Sequence, residues 1–328
     1  MKNIKILATG GTIAGQAATS TQLTGYTAGA YSVQTLLSSV PALSELAHIS
    51  GEQVCNIDSS SLTDELLVQL AQRCNALLAD AAVDGIVITH GTDTLEETAF
   101  FLNLTVKSAK PVVLVGAMRP ATAISADGPL QLINAVKVAT CPQSAGQGVL
   151  VVMNDEIYNG RDVTKTNTSN VATFKAPNGG AIGGVVGGSV RYYYASLRPH
   201  TLTSEFEVAG VTALPRVDII YTHVGADRLF VDAACAAGAA GIVYAGSGMG
   251  SIPEGVEPAL AEAVQRGVVV VRSSRTGSGE VLAGVERWQQ EGFLYAGNLN
   301  PQKARLLLQL ALLKKHERSE LQELFNKY

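Results

Sequence analysis

The sequence predicts an α/β protein with a larger N-terminal, mostly parallel sheet flanked by helices and a smaller C-terminal α/β domain. Short apolar runs alternate with segments of helical periodicity from the N-terminus to Met153. Between Tyr158 and Tyr194 this alternation gives way to short β runs separated by glycines, and it resumes after a polar stretch. We therefore predict two domains, 1–199 and 216–328, joined by a linker at 200–215.

The N-terminal elements follow from strand-like and helix-like periodicity taken in order. The predicted strands are Ile4–Ala8, Val54–Ile57, Ile86–Ile88, Pro111–Val115 and Val149–Met153. One predicted helix begins at Val33, and three others cover Leu62–Leu78, Leu95–Val106 and Leu130–Val138. This order indicates a parallel sheet with helices on both faces. The later runs Ile182–Val186 and Val190–Tyr194 predict an antiparallel hairpin insert.

The same alternation, on a smaller scale, predicts the C-terminal domain. Its expected strands are Val217–Tyr221, Ile242–Ala245 and Val268–Val271, and its expected helices are Phe230–Ala237 and Val256–Val264. One more helix is expected after Asn300, with Pro301 at its first position, where a missing N–H costs nothing.

Composition excludes several classes of function. A net charge of −4 and a pI near 5.8 argue against nucleic acid or an anionic membrane as partner. No apolar run reaches 18 residues, so we expect no membrane span. The four cysteines show no CxxC spacing, and we expect neither a metal site nor a disulfide framework.

The apolar run Ile4–Leu7 is too short for a signal peptide, so we expect a cytoplasmic protein as the sequence stands, or a periplasmic one if a signal has been removed.

Two strand-to-helix turns carry the candidate chemistry. Thr92 and Asp93 follow the strand Ile86–Ile88, at the carboxyl edge where open α/β sheets bind ligands. Thr12 follows the first strand after two glycines, and the spacing there matches no nucleotide-binding motif. The alternative for the turn at Thr92 and Asp93 is structural: one of these two residues would cap the next helix, with Glu96 or Glu97 completing a capping box.

Several segments then resemble the bacterial-type L-asparaginases and glutaminase-asparaginases, especially the type II members. They are Thr9–Ala14, Ile88–Thr94, Val115–Pro120, Ser125–Gly128, Gly160–Thr168 and Leu299–Arg305, in family order along almost the whole chain. The resemblance implies hydrolysis of L-asparagine to L-aspartate and ammonia by a homotetramer (a dimer of intimate dimers) without metal or cofactor. L-Glutamine would be a second substrate.

The resemblance also implies catalytic roles. Thr12 matches the nucleophile that forms an acyl-enzyme, and Tyr26 matches the tyrosine of a mobile lid. Thr92, Asp93 and Lys165 match a proton-relay group, in which Asp93 also binds the substrate ammonium. A threonine hydroxyl is a poor nucleophile at neutral pH and needs such a base.

Substrate contacts are implied for Ser59, which would hold the α-carboxylate, and for Ala117. Ser60 departs from the family, which usually has glutamine or glutamate there, so we expect asparagine preference with low glutaminase activity. In the C-terminal domain, Ser251 would reach a neighbouring subunit's site. Glu286, or alternatively Glu280, would polarise the neighbour's Tyr26.

Two other functions stay open at this point. One is a glutaminase-asparaginase of broad amide specificity. The other is a non-catalytic amino-acid-binding protein, which would need neither Lys165 nor a threonine in each turn.

Overall fold

The computed structural model describes residues 1–25 and 27–328, which divide into two compact units, 1–210 and 211–328. The division falls within the stretch 200–215 that the sequence predicts as a linker. The segment 204–216, all of it described, contains neither helix nor strand.

The first unit is built on one large sheet. Its strands in chain order are β1 Asn3–Gly10, β2 His48–Ile57, β3 Gly85–Thr89, β4 Val112–Val115, β5 Val149–Met153, β6 Glu156–Asn159, β7 Thr164–Lys165, β8 Phe174–Lys175, β9 Gly183–Val186 and β10 Ser189–Tyr192. Eight of them form a sheet in the order β10-β9-β6-β5-β4-β3-β1-β2, and β7 pairs with β8 separately. The pairs from β2 to β5 are parallel and those from β5 to β10 antiparallel. The predicted parallel sheet and hairpin insert are confirmed.

Helices cover both faces of this sheet, as predicted. They are α1 Val33–Ser38, α2 Leu43–Leu46, α3 Asp64–Ala79, α4 Leu95–Thr105 and α5 Gly128–Thr140. Apolar side chains of α1, α2 and α5 share a core with the strands β1, β3, β4 and β5, while α3 and α4 contact the opposite face. α4 is buried on nearly all sides, which explains why its sequence is apolar almost throughout.

The start of α4 differs from the capping-box alternative. Its N-cap is Thr94, which makes no side-chain capping bond, and neither Thr92 nor Asp93 caps the helix. The Glu96 side chain instead accepts hydrogen bonds from Thr164 and Lys165, far along the chain. A buried carboxylate requires strong donors, and these long-range donors replace the local one. The capping-box interpretation is therefore wrong.

The second unit has a four-stranded parallel sheet in the order β11-β12-β13-β14. Its elements are β11 Val217–Tyr221, α6 Leu229–Ala236, β12 Gly241–Gly246, α7 Glu257–Gln265, β13 Val269–Ser274, α8 Glu286–Gln290, β14 Leu294–Tyr295, α9 Pro301–Ala311 and α10 Arg318–Lys327. α9 begins as predicted, since Asn300 accepts a hydrogen bond from the Lys303 N–H and Pro301 starts the helix.

The sequence interpretation missed α8, β14 and α10. The apolar residues of α10, Leu321, Leu324 and Phe325, are buried at helical spacing within an otherwise polar and charged segment. Within residues 1–25 and 27–328, none of the helices combines the length and the apolar character needed to cross a bilayer.

Candidate functional site

The two threonine-bearing turns of the first unit are neighbours because their strands are neighbours. β1 pairs in parallel with β3, so both turns leave the same edge of the sheet. Gly11 has a φ of 78°, and a Cβ placed on it would overlap the backbone of Gly91 in the other turn. Glycine at position 11 therefore allows both a left-handed backbone and close contact between the turns. Thr12 follows in a short 3-10 helix and is 7% exposed.

The second turn carries a hydrogen-bonded group of three side chains. Lys165 Nζ lies 3.0 Å from Thr92 Oγ1 and 2.5 Å from Asp93 Oδ1. The lysine side chain is 16% exposed, whereas that of Asp93 is 58% exposed. The lysine thus lies behind the turn with its charge paired, while the carboxylate also faces solvent. An amine bridging a hydroxyl and a carboxylate can pass a proton between them.

A third turn, after β2, supports the second. The buried Ser59 Oγ accepts a hydrogen bond from Asp93 N at 3.2 Å, and the Ser59 carbonyl accepts one from Thr94 Oγ1 at 2.9 Å. The neighbouring Ser60 is exposed and donates to Asp58 Oδ1 at 2.9 Å. Ser59 therefore positions Asp93, and the hydroxyl of Ser60 bonds to its own turn.

These turns open into one cavity of about 720 Å³, a size typical of small-molecule sites. It brings together five of the predicted site residues: Thr12, Ser59, Thr92, Asp93 and Lys165. Its other described lining residues are Gly11, Leu23, Thr24, Gly25, Asp58, Gly91, Met118, Arg119, Thr168, Ser169, Asn170 and Val171.

Three further residues of the first unit are predicted for the site. Tyr26 lies outside the described residues. Ala117 is fully buried, and its neighbours Met118 and Arg119 line the cavity in its place. Ser60 is likewise not among the described lining residues.

The predicted residues of the second unit lie on its surface. Ser251 is exposed and pairs with Ser247 in an isolated β-bridge. Glu286 is the first residue of α8 and accepts a hydrogen bond from Gln290 Nε2 at 3.1 Å. Glu280, also exposed, precedes this helix.

His90 is 1% exposed and directly precedes Gly91 of the second turn. Its Nδ1 lies 2.7 Å from the Gly91 carbonyl oxygen, so this nitrogen must carry the proton, and Nε2 then accepts from Thr98 Oγ1 at 2.9 Å. Burial lowers the pKa of His90 to about 4. The ring is therefore neutral at pH 7 and acts as a buried hydrogen-bonding brace.

Sequence reasoning missed the placement of Glu96. The residue is 3% exposed in α4 and hydrogen-bonds to the segment that carries Lys165. Its signal in the sequence is a carboxylate within the apolar helix 95–105, because carboxylates are rarely buried without dedicated partners. No group of three or more potential metal ligands occurs among residues 1–25 and 27–328.

Comparison with known proteins places the chain among relatives over its full length. The family described as "Asparaginase, N-terminal" matches residues 3–198, and "Glutaminase/Asparaginase C-terminal domain" matches residues 216–325. The chain is 50% identical to "L-asparaginase 2" of Bacillus subtilis (strain 168), covering 100% of this chain and 87% of that protein. It is 48% identical to "L-asparaginase 2" of Escherichia coli (strain K12), covering 100% and 94%.

A solved structure is similar over the whole of both chains. It is titled "Crystal Structure of Probable Cytoplasmic L-asparaginase from Campylobacter jejuni", with a TM-score of 0.98 and 47% identity over 100% of each chain.

Proposed function

This chain belongs to the asparaginase family, and on that premise we propose that the cavity of its first unit is where L-asparagine is hydrolysed. The protein is an amidohydrolase that converts L-asparagine to L-aspartate and ammonia. The observation that supports this cavity is the Lys165–Thr92–Asp93 group, which lines the same space as Thr12.

Recognition of the amino acid follows from the charges of the cavity. The Asp93 carboxylate binds the substrate α-ammonium, to which its exposed face is accessible. Ser59 Oγ accepts from Asp93 N, which leaves its own proton to donate to the α-carboxylate. The side-chain amide of the substrate then lies towards the two threonine turns.

The chemical step uses Thr12 as nucleophile. Thr12 Oγ1 attacks the carbonyl carbon of the side-chain amide, and its proton passes to the group formed by Thr92, Lys165 and Asp93. The N–H of Thr92 stabilises the developing oxyanion. Collapse breaks the C–N bond, and the leaving nitrogen takes the proton that the Thr92, Lys165 and Asp93 group received from Thr12 and departs as ammonia. Water then hydrolyses the ester to L-aspartate and restores the Thr12 hydroxyl.

Each chemical role here is filled by a protein group, so we propose that the reaction needs neither metal nor cofactor. Dialysis against a chelator should leave the rate unchanged. A loss that is restored by a metal ion would contradict the proposal.

The experiment that tests the mechanism measures ammonia release from L-asparagine by wild type, Thr12→Val and Thr12→Ser. We expect Thr12→Val to lose activity by several orders of magnitude, because the isosteric side chain lacks the hydroxyl. Thr12→Ser should keep measurable activity. Equal melting temperatures would show that folding is intact, and an active Thr12→Val would refute Thr12 as nucleophile.

We propose further that the active form is a homotetramer. The second unit of a neighbouring subunit supplies Ser251 and one acidic residue, either Glu286 or Glu280, to the cavity. The second unit offers an apolar surface for such contacts, with Tyr221, Val224, Leu229 and Phe230 more than half exposed. Light scattering should give a tetramer. Activity per subunit should fall when the protein is diluted below its dissociation range, and a fully active monomer would contradict the proposal.

We propose a cytoplasmic location. The full-length similarity to the Campylobacter jejuni structure, which is described as a probable cytoplasmic L-asparaginase, supports this proposal. Fractionation of cells that express the natural gene tests it. Activity found in the periplasmic fraction would favour the alternative.

A further inference from the structure

Glu96 ties the strand that carries Lys165 to α4. The residue is 3% exposed, and its Oε2 accepts a hydrogen bond from Lys165 N at 2.5 Å and another from Thr164 Oγ1. Lys165 lies on β7, a two-residue strand that pairs with β8 and is not part of the eight-stranded sheet. The main chain of Lys165 is thus held by a carboxylate buried in the helix that follows the second turn.

The two sides of the Lys165 ion pair are held by different anchors. Asp93 is held through its N–H by Ser59, and the adjacent Thr94 also bonds to Ser59. Lys165 is held through its N–H by Glu96. Moving Glu96 should therefore displace the lysine while Ser59 keeps Asp93 in its place for binding the substrate.

We propose that Glu96 is a positioning residue that sets the Lys165 ammonium between Thr92 and Asp93 and so acts on the chemical step rather than on substrate binding. This inference rests on the proposed function, because it takes Lys165 as part of the proton relay. Glu96 itself does not line the described cavity and acts through the lysine.

The size of the effect follows from the geometry. Lys165 Nζ makes hydrogen bonds of 3.0 and 2.5 Å. A shift of its strand by about 1 Å would stretch both beyond the usual range of about 2.7–3.2 Å and so weaken them. Misplacement of a catalytic group by that distance costs about 100-fold in rate. We expect Glu96→Ala to lower kcat by about that factor. Glu96→Gln keeps an acceptor oxygen but lacks the charge, so we expect a loss of about tenfold.

The test is a double-mutant cycle between Glu96→Gln and Lys165→Met, with initial rates on L-asparagine at saturating and subsaturating concentrations. In the wild-type background, Glu96→Gln should lower kcat about tenfold and leave KM within about twofold. In the Lys165→Met background, Glu96→Gln should cause no further loss, because the lysine side chain through which Glu96 acts has been removed. Glu97→Gln, which makes the same change at the next position of α4, is the control and should leave both constants unchanged.

Multiplicative losses in the cycle would overturn the inference, as would a rise in KM with unchanged kcat. Melting temperatures of all variants separate a general loss of folding from a local effect. If Glu96→Gln does not fold, Thr164→Val takes its place in the cycle, because it removes the other donor to the same carboxylate oxygen. Its loss of kcat should likewise vanish in the Lys165→Met background, and persistence of the loss there would overturn the inference.

Failure of the proposed function would look different. In that case wild-type protein would release no ammonia from L-asparagine, or Lys165→Met would keep the wild-type rate. When both of these controls behave as expected, the cycle reports on Glu96 alone.

Discussion

Replacing Gly91 by alanine tests how closely the turns of the site are packed. A Cβ at this position would lie 2.6 Å from Ser59 Oγ and 2.7 Å from Ser59 Cβ. The closer of these approaches is about 0.8 Å inside ordinary van der Waals contact, which begins near 3.4 Å. Ser59 is short and buried and holds both Asp93 and Thr94, so it cannot move aside without taking the second turn with it.

The expected magnitude follows from this overlap. Overpacking of a buried site costs about 1–3 kcal/mol of stability, which should appear as a lower melting temperature. A shift of Asp93 by most of an ångström should lower kcat/KM for L-asparagine by about 100-fold. Gly179→Ala is the matched control, because the nearest atom to its added Cβ is 3.8 Å away in the same unit.

The assay is ammonia release together with thermal unfolding, on wild type, Gly91→Ala and Gly179→Ala. A second variant, Gly91→Ala with Ser59→Gly, removes the two closest atoms, Ser59 Oγ and Cβ, and leaves Ser59 N at 3.2 Å from the added Cβ. It should recover part of the lost stability without recovering activity, because the Ser59 hydroxyl is gone. A folded Gly91→Ala enzyme with kcat/KM within twofold of wild type would refute the packing argument.

Two further predictions concern specificity and acid stability. Ser60→Gln places a longer polar side chain beside Ser59. We expect the ratio of kcat/KM for L-glutamine to kcat/KM for L-asparagine to rise by about tenfold, which corresponds to one further hydrogen bond. An unchanged ratio would show that Ser60 does not limit glutamine use. His90 has a pKa of about 4 in the folded state and 6.5 in the unfolded chain. As pH falls from 6.5 towards 4, the unfolded chain therefore gains a proton at this residue that the folded state does not take up. The free energy of unfolding should fall by up to about 3 kcal/mol over this range. His90→Gln should flatten the dependence of unfolding free energy on pH in that window, and parallel curves for the two proteins would contradict the assignment.

Much of the fold could be predicted because its elements are locally encoded. A buried parallel strand such as β3 is a continuous apolar run, and the helix that follows has apolar residues at helical spacing, so both are visible in short windows. The misses have local causes as well. β14 has only two residues, and α10 places three apolar side chains in a segment of mostly polar and charged residues.

The candidate site was predictable in part. Thr12 and Thr92 could be placed at one sheet edge, because parallel strands that are neighbours end at the same edge. The pairing of Lys165 with Thr92 came only from family resemblance, since nothing in local sequence joins positions 73 residues apart. The roles assigned to the site residues, including Tyr26, stay predictions.

The sequence by itself determined the α/β architecture, the order of most of its elements and the turns that bear Thr12 and Thr92, because periodicity and turn chemistry act between near neighbours along the chain. The tertiary structure alone decided the partners of Glu96 and Ser59. The local motif is compatible with a capping box of Thr92 or Asp93 with Glu96 or Glu97, yet Glu96 is buried and bonds to the main chain of Lys165. A buried carboxylate takes the strongest donors that the fold brings within reach, and which donors those are depends on contacts between distant segments.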